Sequence, residues 1–289
     1  MSGAARSALA GGAEEDAMID PMGQAAERGL VLLGCGKMGG AMLQGWLRAG
    51  LPPERVSVIE PFPPDWLAET GVVVGGAPPE SPAAVMLAVK PQMMEAALPA
   101  VAGLSGPETL FLSIAAGLPL GWFEARLPYG ATPIVRAMPN TPAAIGRGVT
   151  ALIGNGCAED SILLAEALCA AVGATVRLET ERQMDAVTAL SGGGPAYVFH
   201  LIEAMAAAGE AEGLPPDLAM TLARATVCGA GALAEDAPES AETLRVNVTS
   251  PGGTTAEALA VLMDPDTGLP PLMRRAVAAA AARSRALAG

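Results

Sequence analysis

Aromatic residues are nearly missing from this 289-residue chain: Phe, Tyr and Trp together make up 3%. That leaves no platform on which the bases of single-stranded nucleic acid would stack. Histidine occurs once, as His200, which excludes histidine-built metal sites and Ser-His-Asp triads. Lysine occurs only as Lys37 and Lys90. The four cysteines (Cys35, Cys157, Cys169 and Cys228) stand far apart with no C-x-x-C pair. They fit neither a disulfide framework nor a zinc site, and read as reduced thiols of a cytoplasmic protein. No uninterrupted apolar run reaches the length of a membrane span. Positive charge is short too: 17 Lys and Arg stand against 30 Asp and Glu, for a net charge of −13. That balance disfavours nucleic acid and anionic lipid as partners. An anionic cofactor would have to be held by local backbone dipoles and a few cations.

What the chain has in quantity is small apolar residues. Hydrophobic residues make up 51%, charged residues 16%, and there are 35 Gly. This composition suits close packing and argues against disorder. Residues 1–28 are Ala/Gly-rich with scattered acids and read as a mobile leader. Short β-prone runs then alternate with helical or loop stretches: Leu30–Leu33, Val56–Ile59, Val72–Val74, Val85–Val89, Leu110–Ile114, Pro133–Ala137, Ala151–Ile153 and Thr175–Leu178. Continuous apolar strands of this length fit a parallel sheet buried on both faces, so residues 29–181 are expected to form an α/β, doubly wound, Rossmann-type domain. Residues 182–289 change character. Helices are expected over Pro195–Glu212, Asp217–Glu235, Thr254–Met263 and Pro271–Leu287, making an all-α domain. Its Ala-rich helices would leave apolar faces uncovered in a monomer, which points to a homodimer.

The clearest motif is Gly34-Cys35-Gly36-Lys37-Met38-Gly39, a G-x-G-x-x-G between the first strand and an amphipathic stretch. In that setting the first Gly permits a tight turn, the second admits a pyrophosphate, and the third lets helix pack on strand. Glu60 ends the second strand about twenty residues later, where a carboxylate accepts hydrogen bonds from the adenosine ribose hydroxyls. It would repel the extra phosphate of NADPH, and no Arg or Lys occurs in Pro61–Ala68 to hold one. NADH is therefore expected over NADPH.

Other candidates cluster at strand ends. Ala88-Val89-Lys90-Pro91 follows the fourth strand, and Lys90 would meet the cofactor or remain a solvated turn lysine. Ala115 and Ala116 end the fifth strand with small side chains that would let a nicotinamide ribose approach. Asn140, after the sixth, carries an amide suited to the nicotinamide or the substrate. Two Gly-rich turns, Ser191–Pro195 and Ser250–Thr255, each precede an expected helix. Each would offer N–H groups and hydroxyls to a carboxylate, or serve only as a helix cap.

Six segments in this order resemble the pyrroline-5-carboxylate reductase family: Gly34–Gly39, Ala88–Gln92, Ser113–Gly117, Arg136–Pro142, Ala189–Tyr197 and Asn247–Thr255. The resemblance implies reduction of pyrroline-5-carboxylate to L-proline by NAD(P)H, the last step of proline synthesis. It also implies a dimer of interleaved helices that some members stack into decamers. Carried over by position, Gly253, Thr254 and Thr255 would bind the substrate carboxylate, with Thr255 near the ring nitrogen as the catalytic residue. Ser191 and Gly192 would join the substrate site. Asn247 would lie near cofactor and substrate, and Gly34, Gly36, Lys37, Met38, Gly39, Glu60, Ala88, Val89, Lys90, Pro91, Ala115, Ala116 and Asn140 along the cofactor cleft. No metal is implied. Glu60 and the leader depart from the family pattern. A reductase of a related cyclic imine, a hydroxyacid dehydrogenase and a non-catalytic dinucleotide sensor are the rival readings. The dehydrogenase would usually want a Lys or His acid in the helical half, and both lysines, Lys37 and Lys90, lie in the other half, which weighs against it.

Overall fold

Every expected apolar run becomes a strand of a single sheet. The computed structural model describes residues 20–159 and 161–287. The strands are β1 (Leu30–Leu33), β2 (Val56–Ile59), β3 (Val73–Val74), β4 (Ala84–Leu87), β5 (Leu110–Ser113), β6 (Ile134–Met138), β7 (Gly148–Gly154) and β8 (Gly173–Arg177). Their order is β3-β2-β1-β4-β5-β6-β7-β8. Chain order reverses at β1, whose neighbours are β2 and β4, and open α/β sheets bind ligands at the carboxyl ends of strands at such a point. Leu33 pairs with both Ile59 and Leu87, so Gly34, Glu60 and Ala88 emerge at one level.

One expectation is corrected. The sheet is not wholly parallel, because β6 and β7 pair antiparallel while β7 and β8 run parallel to each other. A parallel return needs a crossover of a dozen or more residues, and the link 139–147 is too short for one.

The helices are α1 (Pro21–Arg28), α2 (Lys37–Arg48), α3 (Pro91–Ala97), α4 (Pro99–Ala102), α5 (Leu120–Glu124), α6 (Ile162–Ala170), α7 (Met184–Val187), α8 (Gly194–Ala211), α9 (Pro216–Asp236), α10 (Ala241–Asn247), α11 (Thr254–Leu262) and α12 (Leu269–Leu287). Helices α1 and α10 are among those for which no helix is expected from the sequence. Helix α1 occupies the end of the stretch read as a mobile leader. Asp20 caps it, Ala25 is fully buried, and Arg28 donates to the carbonyls of Ser81, Pro82 and Glu108. The leader reading of residues 1–19 lies outside the described residues. Ser240 caps helix α10, its hydroxyl accepting the Thr243 N–H.

The sheet divides the core in two. Leu30 and Leu32 face Met42, Trp46 and Leu168, while Val31 and Leu33 face Met94, Val101, Phe111 and Phe123. Alternate side chains of β1 thus fill opposite faces, and each fully buried one contributes about 1.5–3 kcal/mol. Trp46 anchors α2 to α6, its indole N–H donating to the buried Leu168 carbonyl at 2.8 Å. The helical half is different. From α8 onward the buried hydrophobic residues are Ala206, Ala219, Ala223 and Ala281, whereas Phe199 is 60% and Val261 72% exposed. Helices α8 and α9 pack on each other, but neither α10 nor α11 packs extensively on any other element. Among the described residues, no helix is long and apolar enough to cross a membrane.

Candidate active site

The three motif glycines have three separate reasons to lack a side chain. Gly34 turns with φ +93°, and a Cβ there would meet Val89 N at 2.9 Å and Ala88 C at 3.0 Å. At Gly39 a Cβ would stand 2.3 Å from the Gly34 carbonyl oxygen, so the helix–strand contact forbids it. Gly36 is the opposite case: nothing lies within 4 Å of its absent Cβ. It caps α2 without a side-chain hydrogen bond, leaving first-turn N–H groups beside open space. Room for a pyrophosphate thus occurs where donors point.

Glu60 faces this turn. Its Oε2 accepts the Cys35 N–H at 2.8 Å and its Oε1 accepts the Phe62 N–H at 3.1 Å. The carboxylate is therefore held in place by backbone, with lone pairs left for ribose hydroxyls. Burial, together with the Glu60 charge, pushes the Cys35 thiol up to about 11, so it stays protonated and is no nucleophile. A cleft of about 420 Å³ gathers Gly34, Gly36, Glu60, Ala88, Val89 and Lys90. Phe62 and Met93, neither singled out by sequence, also line it, and Phe62 is 88% exposed at this cleft. The signal for Phe62 was its place two residues beyond the acidic strand end. Pro91 opens α3 below Lys90, which is exposed. Lys37 lines a smaller, adjoining cleft with Gly36, Gln44 and Trp66, while the Met38 side chain packs into the core and can offer a ligand only its backbone. These residues fit a dinucleotide, although Met38 serves it only indirectly.

Along the same pole, Ala115 is buried and Ala116 exposed at the end of β5. Asn140 differs from expectation. It is 9% exposed; its Oδ1 accepts the Val149 N–H at 2.9 Å and its Nδ2 donates to the Ser191 carbonyl at 3.2 Å. The amide is an internal tie instead of a free ligand contact. The Ser191–Gly194 stretch is also not an open turn. Residues Thr188–Gly192 form a π-helical turn that runs into α8. The Ser191 hydroxyl donates to the Val187 carbonyl at 3.1 Å, so in this conformation its proton is not free for a carboxylate. Gly192 packs against Met138.

Asn247, Gly253, Thr254 and Thr255 do not line this cleft; they lie on α10 and at the start of α11. Gly252 turns with φ +70°, Gly253 caps α11 with no side-chain hydrogen bond, and Thr254 and Thr255 are exposed. One chain thus carries a glycine-lined nucleotide cleft and, on helices with uncovered faces, a Gly-Thr-Thr helix start.

Comparison with known proteins agrees with both halves. Residues 181–287 match the model described as pyrroline-5-carboxylate reductase dimerisation. Residues 29–117 match the one described as NADP oxidoreductase coenzyme F420-dependent. The pyrroline-5-carboxylate reductase of Pseudomonas aeruginosa is 38% identical over 268 residues, spanning 90% of this chain and 96% of that one. That of Mycobacterium tuberculosis H37Rv is 38% identical over 259 residues, spanning 80% and 87%. Among solved structures, the Coxiella burnetii pyrroline-5-carboxylate reductase superposes with a TM-score of 0.83 at 33% identity, covering 91% of this chain and 99% of that one. The Plasmodium falciparum enzyme with NADP bound gives 0.76 at 26%, with the same coverages of 91% and 99%. The chain belongs to the pyrroline-5-carboxylate reductase family, the NAD(P)H-dependent oxidoreductases that reduce pyrroline-5-carboxylate to L-proline.

Proposed function

We propose that this reductase takes NADH in preference to NADPH, binds the substrate carboxylate at Gly253–Thr255, and completes its site in a homodimer. The observation that carries the cofactor reading is the Glu60 carboxylate, fixed by the Cys35 and Phe62 N–H groups and facing the glycine turn. Residues 61–68 supply no cation that would offset a 2′-phosphate beside it. Nicotinamide, when bound, supplies the hydride.

The rest follows from what the chain's own residues can do. A protonated cyclic imine is already electrophilic at carbon, so positioning supplies much of the rate. The exposed N–H groups at the α11 start suit a carboxylate. The Thr255 hydroxyl, on the first turn of that helix, is suited to hydrogen-bond the ring nitrogen and relay its proton. Helices α10 and α11 lack extensive packing within the chain, which supports a second copy bringing this turn to the cleft. A decamer rests on the family resemblance alone. Four free thiols agree with a cytoplasmic setting.

The test is Thr255→Ala, followed by NADH oxidation with pyrroline-5-carboxylate. We expect kcat to fall about 100-fold or more, within the range for loss of a positioned proton donor, with NADH affinity unchanged. An unchanged kcat refutes the role of Thr255. Absence of turnover by the wild type refutes the substrate.

A further inference from the structure

Arg136, Met138 and Asn140 alternate along β6 and its extended continuation, so their side chains project to one side. Each meets the segment 181–192, which joins sheet to helices. Arg136 Nη1 donates to Glu181 Oε1 at 2.9 Å, with the arginine side chain 7% exposed. The same oxygen accepts the Leu120 N–H at the start of α5, at 2.8 Å. A Cβ on Gly192 would lie 2.6 Å from Met138 Cε, so the segment lies tight against that side chain. Asn140 holds the Ser191 carbonyl, while the Val149 N–H holds Asn140. Within the segment, Asp185 Oδ1 accepts the hydroxyl of Ser284 in α12 at 2.6 Å, and the backbone of Leu287 in α12 lies 3.5 Å from where a Gly117 Cβ would stand.

We propose that Arg136, Met138 and Asn140 form a comb that fixes the helical half against the carboxyl ends of β5 and β6. They are positioning residues for hydride transfer, not contacts of the cofactor. This rests on the reductase reading above. The comb's teeth grip the segment from which α8 and, through Asp185, α12 take their placement. Loosening one tooth shifts that placement without touching the nucleotide cleft at β1 and β4. Hydride transfer requires reacting atoms within a few tenths of an ångström of their working separation, whereas nucleotide binding at the glycine turn does not depend on the helices.

Asn140→Asp isolates one tooth: the acceptor for the Val149 N–H stays and the donor to the Ser191 carbonyl goes. We expect kcat to fall about 10- to 100-fold, as for a misplacement of about 1 Å, while NADH affinity measured by fluorescence titration stays at the wild-type value. Glu181→Gln keeps an acceptor but removes the ion pair. It should give the same split to a smaller degree, and it decides the matter where Asn140→Asp does not fold. Amide exchange across 184–194 should rise in either variant while β1 to β5 keep their protection. That readout holds whatever imine proves to be the substrate. NADH affinity falling in step with kcat would make Asn140 a cofactor contact and overturn the proposal. So would a lowered Tm with kcat and exchange unchanged.

Discussion

Replacing Glu60 gives the sharpest test of how this site chooses its cofactor. Two like unit charges about 4 Å apart repel by about 4 kcal/mol at a surface-like dielectric near 20, and by about 1 kcal/mol in water. Glu60 is half-buried on a cleft open to solvent, so the cost of seating a 2′-phosphate beside it falls between these limits. At about 1.4 kcal/mol per factor of ten, those limits are about 5-fold and about 700-fold, and a value midway between them gives roughly a 10- to 100-fold bias for NADH from charge alone. Hydrogen bonds from the ribose hydroxyls to the carboxylate add to it on the NADH side, at about 1.5–3 kcal/mol for bonds to a charged group. Glu60→Ser removes both terms and should lower the NADH/NADPH ratio of kcat/KM by about 100-fold or more. Glu60→Gln isolates the charge: its amide oxygen still accepts the Cys35 N–H, and the ratio should fall by only about 10- to 100-fold. Steady-state NAD(P)H oxidation with both cofactors reads the outcome. A wild type that strongly prefers NADPH, or a ratio unmoved by either variant, refutes the reasoning.

Gly36→Ala should leave Tm unchanged but weaken NADH binding about tenfold or more, because its Cβ enters the space open to the pyrophosphate. Gly39→Ala should do the reverse of sparing the fold: a Cβ 2.3 Å from the Gly34 oxygen should cost about 1–3 kcal/mol in denaturant melts. Phe199→Asp, at an exposed apolar position of α8, should convert a dimer to monomer in sedimentation and abolish turnover while NADH still binds. Glu166, on α6, is held below the ordinary glutamate range by the Arg177 guanidinium, which meets it with Nη2 at 2.6 Å. Its stabilisation is present above that range and lost as pH falls through the lowered value. Glu166→Gln should therefore lower Tm slightly at neutral pH, and the gap should close in acid.

The nucleotide half was legible because its signals are local. Leu30–Leu33 is apolar on both faces, and Gly34, Gly36 and Gly39 follow at once, so strand, turn and helix share one short stretch. Strand direction is not local. Nothing in Ala151–Ile153 says that it runs against β6; only the length of 139–147 bears on it. Asn140 sat where ligands bind, yet its partners are backbone groups of Val149 and Ser191, which no side-chain pattern advertises. The Ser191–Gly194 glycines looked like a flexible turn. They belong to a helical path that passes close to Met138. Helix α10 is hard to see because seven residues carry too little periodicity, and α1 because its stretch continues the Ala/Gly-rich leader.

The uncovered faces of α8 to α11 also bear on the life of the protein outside its site. With so few buried residues, the helical half gains little free energy from folding by itself. Under the homodimer reading, folding and association become one equilibrium, and dilution acts as a mild denaturant. Melting temperature then rises with protein concentration. A newly made chain depends on meeting a second one before its apolar faces find other company.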